Sequence, residues 1–221
     1  NMNTKSISVI VCTYNHDKWI ERCLRSILNQ EVLKKNEFEI ILVDDFSQDS
    51  TQQVLKKFNN EENLKIIIND ENIGLPASIN KAMQDSSGRY IVRVDSDDYV
   101  QRFFLHHMKF FLDYNRHYQA VCVDYLRVNE NEEVFDRGNG ITDEIACGVM
   151  FRRECLFDIG LYDEKYSMRE GHDLRRRFLK NFKLGHLELP LYKYRDHADN
   201  RTKNIDNLKN FDDILNHDHQ E

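Results

Sequence analysis

Residues 7–12 read ISVIVC, a run that is apolar and β-branched apart from Ser8. Such a run is typical of a strand covered on both faces, as in the middle of a parallel sheet. Similar runs follow at residues 38–45 (FEIILVDD), 64–68 (LKIII) and 90–95 (YIVRVD). The sequence therefore predicts four buried strands within residues 1–100.

Helical segments separate these strands. Residues 17–30 place apolar side chains at spacings of three and four, and residues 51–58 follow a cluster of N-cap candidates. A third helix is predicted after Gly74-Leu75-Pro76, through Met83. Alternating strands and helices predict right-handed crossovers, so we expect an α/β fold with a mostly parallel central sheet and flanking helices.

The chain changes character after residue 100. We expect an aromatic-rich helix from Val100 to Tyr114, extended segments at 120–126, 146–151 and 187–194, and a helix over 173–180. The polar stretch at 129–139 is expected to be a loop. From residue 203 onward few apolar residues occur, which predicts a polar tail that frays or docks on a partner segment outside this sequence. We expect a single domain over 1–221, with halves at about 6–100 and 101–202 and the tail at 203–221.

Composition narrows the classes of function. The 221 residues carry a formal net charge of −7, and this acidic balance argues against nucleic acid as a partner. No signal-peptide or membrane-span pattern is found, which predicts a cytoplasmic protein. The cysteines match neither a disulfide framework nor a zinc spacing, so reduced, buried thiols are expected.

Acidic residues follow two of the predicted strands. No glycine occurs before Gly74, which excludes the glycine-rich turn of a dinucleotide fold and the P-loop. Instead Asp44 and Asp45 close one strand, and the DSDD run at 95–98 closes another. Carboxylate oxygens suit Mg²⁺ or Mn²⁺, and such an ion could hold a phosphate. A polar turn rich in aspartate is the alternative reading.

Seven motifs follow one another along the chain: VIVCTYN (9–15), VDDFSQDST (43–51), NIGLPASIN (72–80), RVDSDD (93–98), ACGVMFRRECLFDIGLYDE (146–164), REGHDLRRR (169–177) and YKYRDHADNRT (192–202). In this order they resemble family 2 glycosyltransferases of the glycosyltransferase-A fold. The resemblance covers roughly residues 6 to 202. It implies a Rossmann-like half that binds a nucleotide sugar and a smaller mixed half that binds the acceptor.

The resemblance also implies residues that contact the donor. Thr13 and Tyr14 would lie beside the base and ribose, and Asp45 would accept a hydrogen bond from the edge of the base. Asn72 belongs to the segment near the nucleotide. Where the family often has Ala-Arg-Asn, this chain has Ser-Ile-Asn at 78–80, so a basic contact to the diphosphate is not expected there.

A divalent cation, Mn²⁺ or Mg²⁺, is implied by the DxD motif. In similar enzymes Asp97 would bind the metal directly, and Asp95 would contact the ribose or a metal-bound water. His197 matches a histidine that approaches the metal or diphosphate from the C-terminal side. Two roles stay open for Asp98, a second metal ligand or a structural cap.

An inverting transferase needs a carboxylate that takes the proton of the acceptor hydroxyl. The family has adjacent Glu-Asp, the second acid being the usual base, whereas this chain has Gly171 at that position. Glu170 and Asp173 both stay open as the base, with His172 as a third candidate. A helix cap is the alternative role for Asp173. Arg152 and Arg153 are expected either to line the acceptor side or to begin a helix, and the remaining histidines to face solvent.

Taken together, these motifs predict a metal-assisted, inverting transferase that moves a sugar from a UDP-sugar to a glycan or lipid-linked acceptor. Two rivals are a non-catalytic module that binds a nucleotide sugar and a sugar nucleotidyltransferase. The resemblance leaves open peripheral contact with the inner face of the membrane and a homodimer.

Overall fold

The computed structural model describes residues 5–200 and 203–220. Within them, one sheet is built from nine strands: β1 (Ile7–Thr13), β2 (Phe38–Asp44), β3 (Leu64–Ile68), β4 (Tyr90–Arg93), β5 (Tyr99–Val100), β6 (Ala120–Val128), β7 (Val134–Gly138), β8 (Val149–Arg152) and β9 (Leu184–Arg195). The strand order is β3-β2-β1-β4-β8-β6-β9-β5, and β7 pairs with β6.

The direction of the strands changes from one half of the sheet to the other. β1 runs parallel to both β2 and β4, and β2 runs parallel to β3. β8 is antiparallel to β4 and β6, β6 is parallel to β9, and β5 is antiparallel to β9. The parallel first half and the mixed second half are as the sequence predicts. One continuous sheet therefore carries the ends of β1, β2 and β4 beside strands from the second half.

Helices cover both faces of this sheet. In chain order they are α1 (Ile20–Leu28), α2 (Thr51–Leu55), α3 (Leu75–Asp85), α4 (Phe104–Tyr114), α5 (Arg153–Asp158), α6 (Glu170–Leu179) and α7 (Ile205–Asp218), with a 3-10 turn at Lys56–Phe58. Successive side chains of β1 point to opposite faces, so Val9 and Val11 enter one core and Ile10 the other. The first core contains side chains of α1, α2 and α4, and the second contains side chains of α3, α5 and α6.

All five cysteines are free thiols. Within residues 5–200 and 203–220, none of the helices combines the length and hydrophobicity that crossing a membrane requires.

The prediction of a loop at 129–139 is wrong for part of that stretch. Residues Val134–Gly138 form β7, which pairs with β6 as a hairpin. Val134 and Phe135 are more than half exposed, so the strand buries neither face and shows no alternating pattern. The turn is held by Asn129, whose Oδ1 accepts from the backbone N–H groups of Asn131 and Glu133 at 2.9 and 3.0 Å.

The segment expected to be a polar tail forms α7 over most of its described length. Leu208, Phe211 and Leu215 recur at helical spacing, and Leu215 is only 2% exposed. Arg169 Nε donates to Asp212 Oδ1 at 2.7 Å, and the Tyr166 hydroxyl donates to Asp218 Oδ2 at 2.5 Å. The helix thus docks on this chain's own surface, just before α6 begins. Residues 201, 202 and 221 lie outside the described residues.

Candidate active site

The carboxyl ends of β1, β2 and β4 open into a cavity of about 1010 Å³. Its walls come from the loops after these strands, from the beginning of α6 and from the segment after β9. Open α/β sheets bind ligands at this edge, where neighbouring crossovers diverge. A cavity of this size can hold a ligand as large as a nucleotide sugar. Eight of the predicted site residues line this cavity. They are Thr13, Tyr14, Asp45, Asn72, Asp95, Asp97, Glu170 and His197.

The loop after β1 is tied to the loop after β2. Asn15 donates its backbone N–H to Ser47 Oγ at 2.9 Å, and its side chain accepts from the N–H of Gln48 at 2.8 Å. Thr13 is buried, and its hydroxyl has no hydrogen-bond partner among the described residues. Tyr14 is 47% exposed, which leaves its ring available to a ligand.

Asp45 holds the loop that contains Asn72. Its Oδ1 accepts from the backbone N–H of Ile73 at 2.8 Å, and its Oδ2 accepts from that of Gly74 at 2.9 Å. Gly74 has φ +90°, a conformation that costs a glycine little. Asn72 Nδ2 donates back to the carbonyl of Asp45 at 3.2 Å. Asp45 therefore positions this loop, in addition to any contact it makes with a base.

The aspartates of the DSDD run have different surroundings. Asp95 accepts from Arg93 Nε at 2.8 Å, and Asp97 Oδ2 lies 2.8 Å from His197 Nε2. Asp98 is buried, and it accepts from the Tyr192 hydroxyl and from a backbone N–H of β9. Burial, followed by the charges of Asp97 and Asp95, raises the pKa of Asp98 well above its usual range. Of its two predicted alternatives, this environment favours the structural role.

The donor set beside Asp97 fits a divalent cation. One ligand atom each from His16, Asp97 and His197 lies within 4.8 Å of the other two. Two ligands on opposite sides of an ion at about 2.1 Å are about 4.2 Å apart, so only small movements are needed to close around a metal. His16 was expected to face solvent, but it lines the cavity instead.

A second acidic cluster is a poorer fit. One ligand atom each from Asp95, Asp98 and Cys147 lies within the same distance. Asp95 is already paired with Arg93, and Asp98 is held by Tyr192. Burial raises the pKa of the Cys147 thiol well above its ordinary value, so the thiolate that binds metals is disfavoured.

Glu170 and Asp173 lie in the first turn of α6 but have different surroundings. Glu170 lines the cavity, and its Oε1 accepts from Arg93 Nη2 at 3.1 Å. Asp173 is not among the residues that line the cavity. Its Oδ2 pairs with Arg177 at 2.8 Å, and its Oδ1 lies 2.8 Å from Nε2 of His219, a histidine expected to face solvent. Asp173 thus joins α6 to the end of α7.

His172 also lines the cavity. Burial lowers the pKa of His172, which favours a neutral imidazole near pH 7.

Gly171 packs against Ala146. A Cβ added at Gly171 would lie 2.4 Å from the Cβ of Ala146 and 2.8 Å from its Cα. Real Cβ atoms do not approach other carbon atoms this closely, so the backbone here excludes any side chain at residue 171. The acid that the family usually has at this position therefore cannot be added without moving α6 or the segment before β8.

We expect Gly171→Ala to destabilise the protein. In an ordinary helix this change stabilises by up to about 1 kcal/mol, whereas overpacking costs about 1–3 kcal/mol. The melting temperature should therefore fall, by about 2–4 °C for each kcal/mol, in a thermal unfolding experiment. Adding Ala146→Gly should recover part of the loss, and a stabilised Gly171→Ala protein would contradict the packing described above.

Arg152 and Arg153 are not among the residues that line the cavity, which favours the second of their two predicted places, the beginning of a helix. Arg152 Nη2 donates to the carbonyl of Leu112 at 2.8 Å, and its Nε donates to that of Tyr118 at 3.0 Å. Arg153 begins α5, as the alternative prediction had it.

Two residues of the site were missed from the sequence. Arg93 is a charged residue inside the apolar run YIVRVD, which was a signal that it has buried partners. His16 lies within a few residues of the end of β1, beside residues already assigned to the ligand site.

Comparison with known proteins identifies the family. The model of the family described as Glycosyl transferase family 2 matches residues 8–139, and the chain belongs to this family. EpsE of Bacillus subtilis is 31% identical over 215 residues, which cover 87% of this chain and 74% of EpsE. The fold is accordingly of the glycosyltransferase-A type.

Solved structures agree with this assignment. The poly(ribitol-phosphate) β-N-acetylglucosaminyltransferase TarS of Staphylococcus aureus is 37% identical over 123 residues, 55% of this chain and 21% of TarS. The crystal structure of TarS 1–349 in complex with UDP-GlcNAc aligns with a TM-score of 0.77 and 25% identity, over 90% of this chain and 61% of that one. The mannosyltransferase PcManGT of Pyrobaculum calidifontis, in complex with GDP-Man and Mn²⁺, shares the fold, with a TM-score of 0.69 and 17% identity. The match thus spans about a fifth of full-length TarS.

Proposed function

We propose that this chain transfers a hexosyl or N-acetylhexosaminyl group, with inversion, from a UDP-sugar to a hydroxyl of a glycan or lipid-linked acceptor. The observation that carries the proposal is that Asp95, Asp97 and Glu170 line one cavity at the carboxyl edge of the sheet. Membership of glycosyl transferase family 2 supports transfer, and the UDP-GlcNAc complex of TarS supports the choice of donor. A cytoplasmic location, with contact to the inner membrane face, stays a prediction.

We assign the donor to the half of the cavity formed by β1 and β2. The exposed ring of Tyr14 can pack on a base or ribose, and the unpartnered hydroxyl of Thr13 offers a hydrogen bond. Asp45 contributes a carboxylate to the base edge and, with Asn72, keeps the loop in place. We expect a nucleotide sugar bound in this way to direct its diphosphate towards the loop after β4.

Asp97 and His197 are the proposed metal ligands, with Asp95 beside them. When bound, Mn²⁺ or Mg²⁺ would stabilise the negative charge that develops on the departing nucleoside diphosphate. Arg93 keeps Asp95 in place through its Nε, while the same guanidinium pairs with Glu170. The buried guanidinium of Arg93 thus positions two carboxylates, Asp95 on the donor side and Glu170 on the acceptor side.

Glu170 is the proposed base. Its carboxylate borders the cavity, whereas both oxygens of Asp173 are engaged with α6 and α7. Glu170 would accept the proton of the acceptor hydroxyl as that oxygen attacks the anomeric carbon, on the side opposite the diphosphate. Asp173 is the alternative base, and His172, whose lowered pKa favours a neutral ring, is a third.

We expect one nucleotide sugar to be consumed only when a divalent cation is present. A panel of UDP-, GDP- and TDP-sugars, each with and without Mn²⁺ and with mixed saccharide acceptors, would identify the donor by release of the nucleoside diphosphate. Asp97→Ala should slow this reaction by at least about a hundredfold, because the charge on the leaving group loses its stabilisation. Asp158→Ala, which removes an exposed carboxylate on α5, serves as the matched control.

A donor that binds but is never consumed would instead favour the binding module. Consumption of a sugar 1-phosphate together with a nucleoside triphosphate would favour the nucleotidyltransferase. Either result would contradict the proposed transfer.

A further inference from the structure

His16, Asp97 and His197 come from the loops after three different strands, β1, β4 and β9. The rings of the two histidines are 6.1 Å apart and nearly perpendicular, at 86°. One ligand atom from each of the three residues lies within 4.8 Å of the others. The cluster therefore presents two imidazoles and one carboxylate to a single point.

Hydrogen bonds hold both the backbone and the ring of His16 in this position. Its backbone N–H donates to Thr51 Oγ1 at 3.2 Å, and its Nδ1 lies 2.6 Å from Ser96 Oγ. A histidine that binds a metal through one ring nitrogen commonly has the other nitrogen hydrogen-bonded, which fixes the orientation of the ring. The contact with Ser96 occupies Nδ1 and leaves Nε2 for an ion.

His197 is oriented in a similar way. The backbone N–H of Asp199 donates to its Nδ1 at 3.3 Å, and its Nε2 lies 2.8 Å from Asp97 Oδ2. The ring packs against Trp19, with centroids 5.4 Å apart. Little rearrangement is needed for a metal to take the place of the proton between His197 and Asp97.

We propose that His16 is a third protein ligand of the metal at Asp97 and His197, and that the site therefore prefers Mn²⁺ to Mg²⁺. The inference rests on the metal role proposed above for Asp97 and His197. Mg²⁺ binds through oxygen and keeps much of its water, whereas imidazole nitrogen favours transition metals. Each added imidazole should thus raise the affinity for Mn²⁺ more than the affinity for Mg²⁺.

The test is metal binding to the full chain without a donor. Mn²⁺ is titrated and the free ion is followed by its electron paramagnetic resonance signal, and Mg²⁺ is then titrated as a competitor. We expect the wild-type protein to bind Mn²⁺ at least about tenfold more tightly than Mg²⁺. His16→Asn keeps a polar atom near Ser96 but removes Nε2, and it should lower the affinity for Mn²⁺ by at least about tenfold. The affinity for Mg²⁺ should change less, so the ratio of the two should fall.

His217→Asn is the matched control, because the His217 side chain is 87% exposed. A direct count of ligands comes from the ¹⁴N modulation of the electron spin echo of bound Mn²⁺. Two imidazoles in the wild-type protein and one in His16→Asn would support the inference. A single imidazole in the wild-type protein, or an unchanged ratio of affinities in a folded His16→Asn protein, would overturn it.

These results are separable from the proposed function. A chain that binds Mn²⁺ through two imidazoles but consumes no donor would support the third ligand and contradict the transferase. A chain that transfers sugar but binds Mn²⁺ and Mg²⁺ with equal affinity would support the transferase and contradict the third ligand.

Discussion

Glu170→Gln is expected to lower kcat/KM for sugar transfer by about 10²–10⁴-fold, the range that a general base contributes. The amide keeps the shape of the side chain and an oxygen that can accept from Arg93 Nη2, so the first turn of α6 should stay in place. The change removes the ability to take a proton and also the negative charge that pairs with Arg93, which keeps Asp95 as a counter-charge. We therefore expect the loss in kcat, with the affinity for the nucleoside diphosphate unchanged in a binding titration.

Two variants make this result specific. Glu154→Gln changes an exposed carboxylate on α5 and should leave transfer unchanged. Asp173→Asn weakens the contacts with Arg177 and His219, so it should lower the melting temperature more than it lowers kcat. If Asp173→Asn stops transfer at unchanged stability while Glu170→Gln remains active, the base is Asp173.

Those parts of the fold that depend on local pattern could be predicted from the sequence. β1, β2 and β4 are short runs of mostly buried residues, and the helices between them have the matching period, so their positions follow from sequence alone. β3 also lies at its predicted position, but the prediction that it is buried is wrong, because it lies at the edge of the sheet and its side chains are half-buried or exposed. The acidic ends of β2 and β4 could also be placed together, because the ends of neighbouring parallel strands share one edge of the sheet. The donor contacts of residues such as Thr13 and Asn72 came from the family resemblance and stay predictions.

The remaining features depend on contacts between distant residues. α7 is polar on most of its surface, and it is held by pairs such as Arg169 with Asp212, which have no local signature. Whether Glu170 or Asp173 borders the cavity depends on which residues hydrogen-bond to each carboxylate. For Asp173 that partner is His219, 46 residues further along the chain. His16 and His197 follow β1 and β9, which are not neighbours in the sheet, so only the completed fold shows that they meet.

Arg93→Met is expected to cost about 3–5 kcal/mol of folding stability, because it removes one partner from a buried ion pair. The Arg93 and Glu170 side chains are 6% and 8% exposed, so neither is well hydrated. Burial lowers the pKa of Arg93, but the nearby carboxylates of Asp95 and Glu170 outweigh this effect and keep its pKa raised. Methionine fills much of the space but leaves the carboxylate of Glu170 buried without a counter-charge.

The measurement is chemical denaturation, with Arg89→Met as the control. The Arg89 side chain is 61% exposed and pairs with Asp113 on the surface, so its loss should cost no more than about 1 kcal/mol. A double variant that combines Arg93→Met with Glu170→Gln no longer has the uncompensated charge of Glu170. Asp95 also loses its partner Arg93, but its side chain is 32% exposed and can be hydrated. The double variant should therefore be more stable than Arg93→Met alone, with a coupling energy above about 0.5 kcal/mol. Strict additivity would show that Arg93 does not stabilise Glu170, and the link proposed between the donor side and the acceptor side would fail with it.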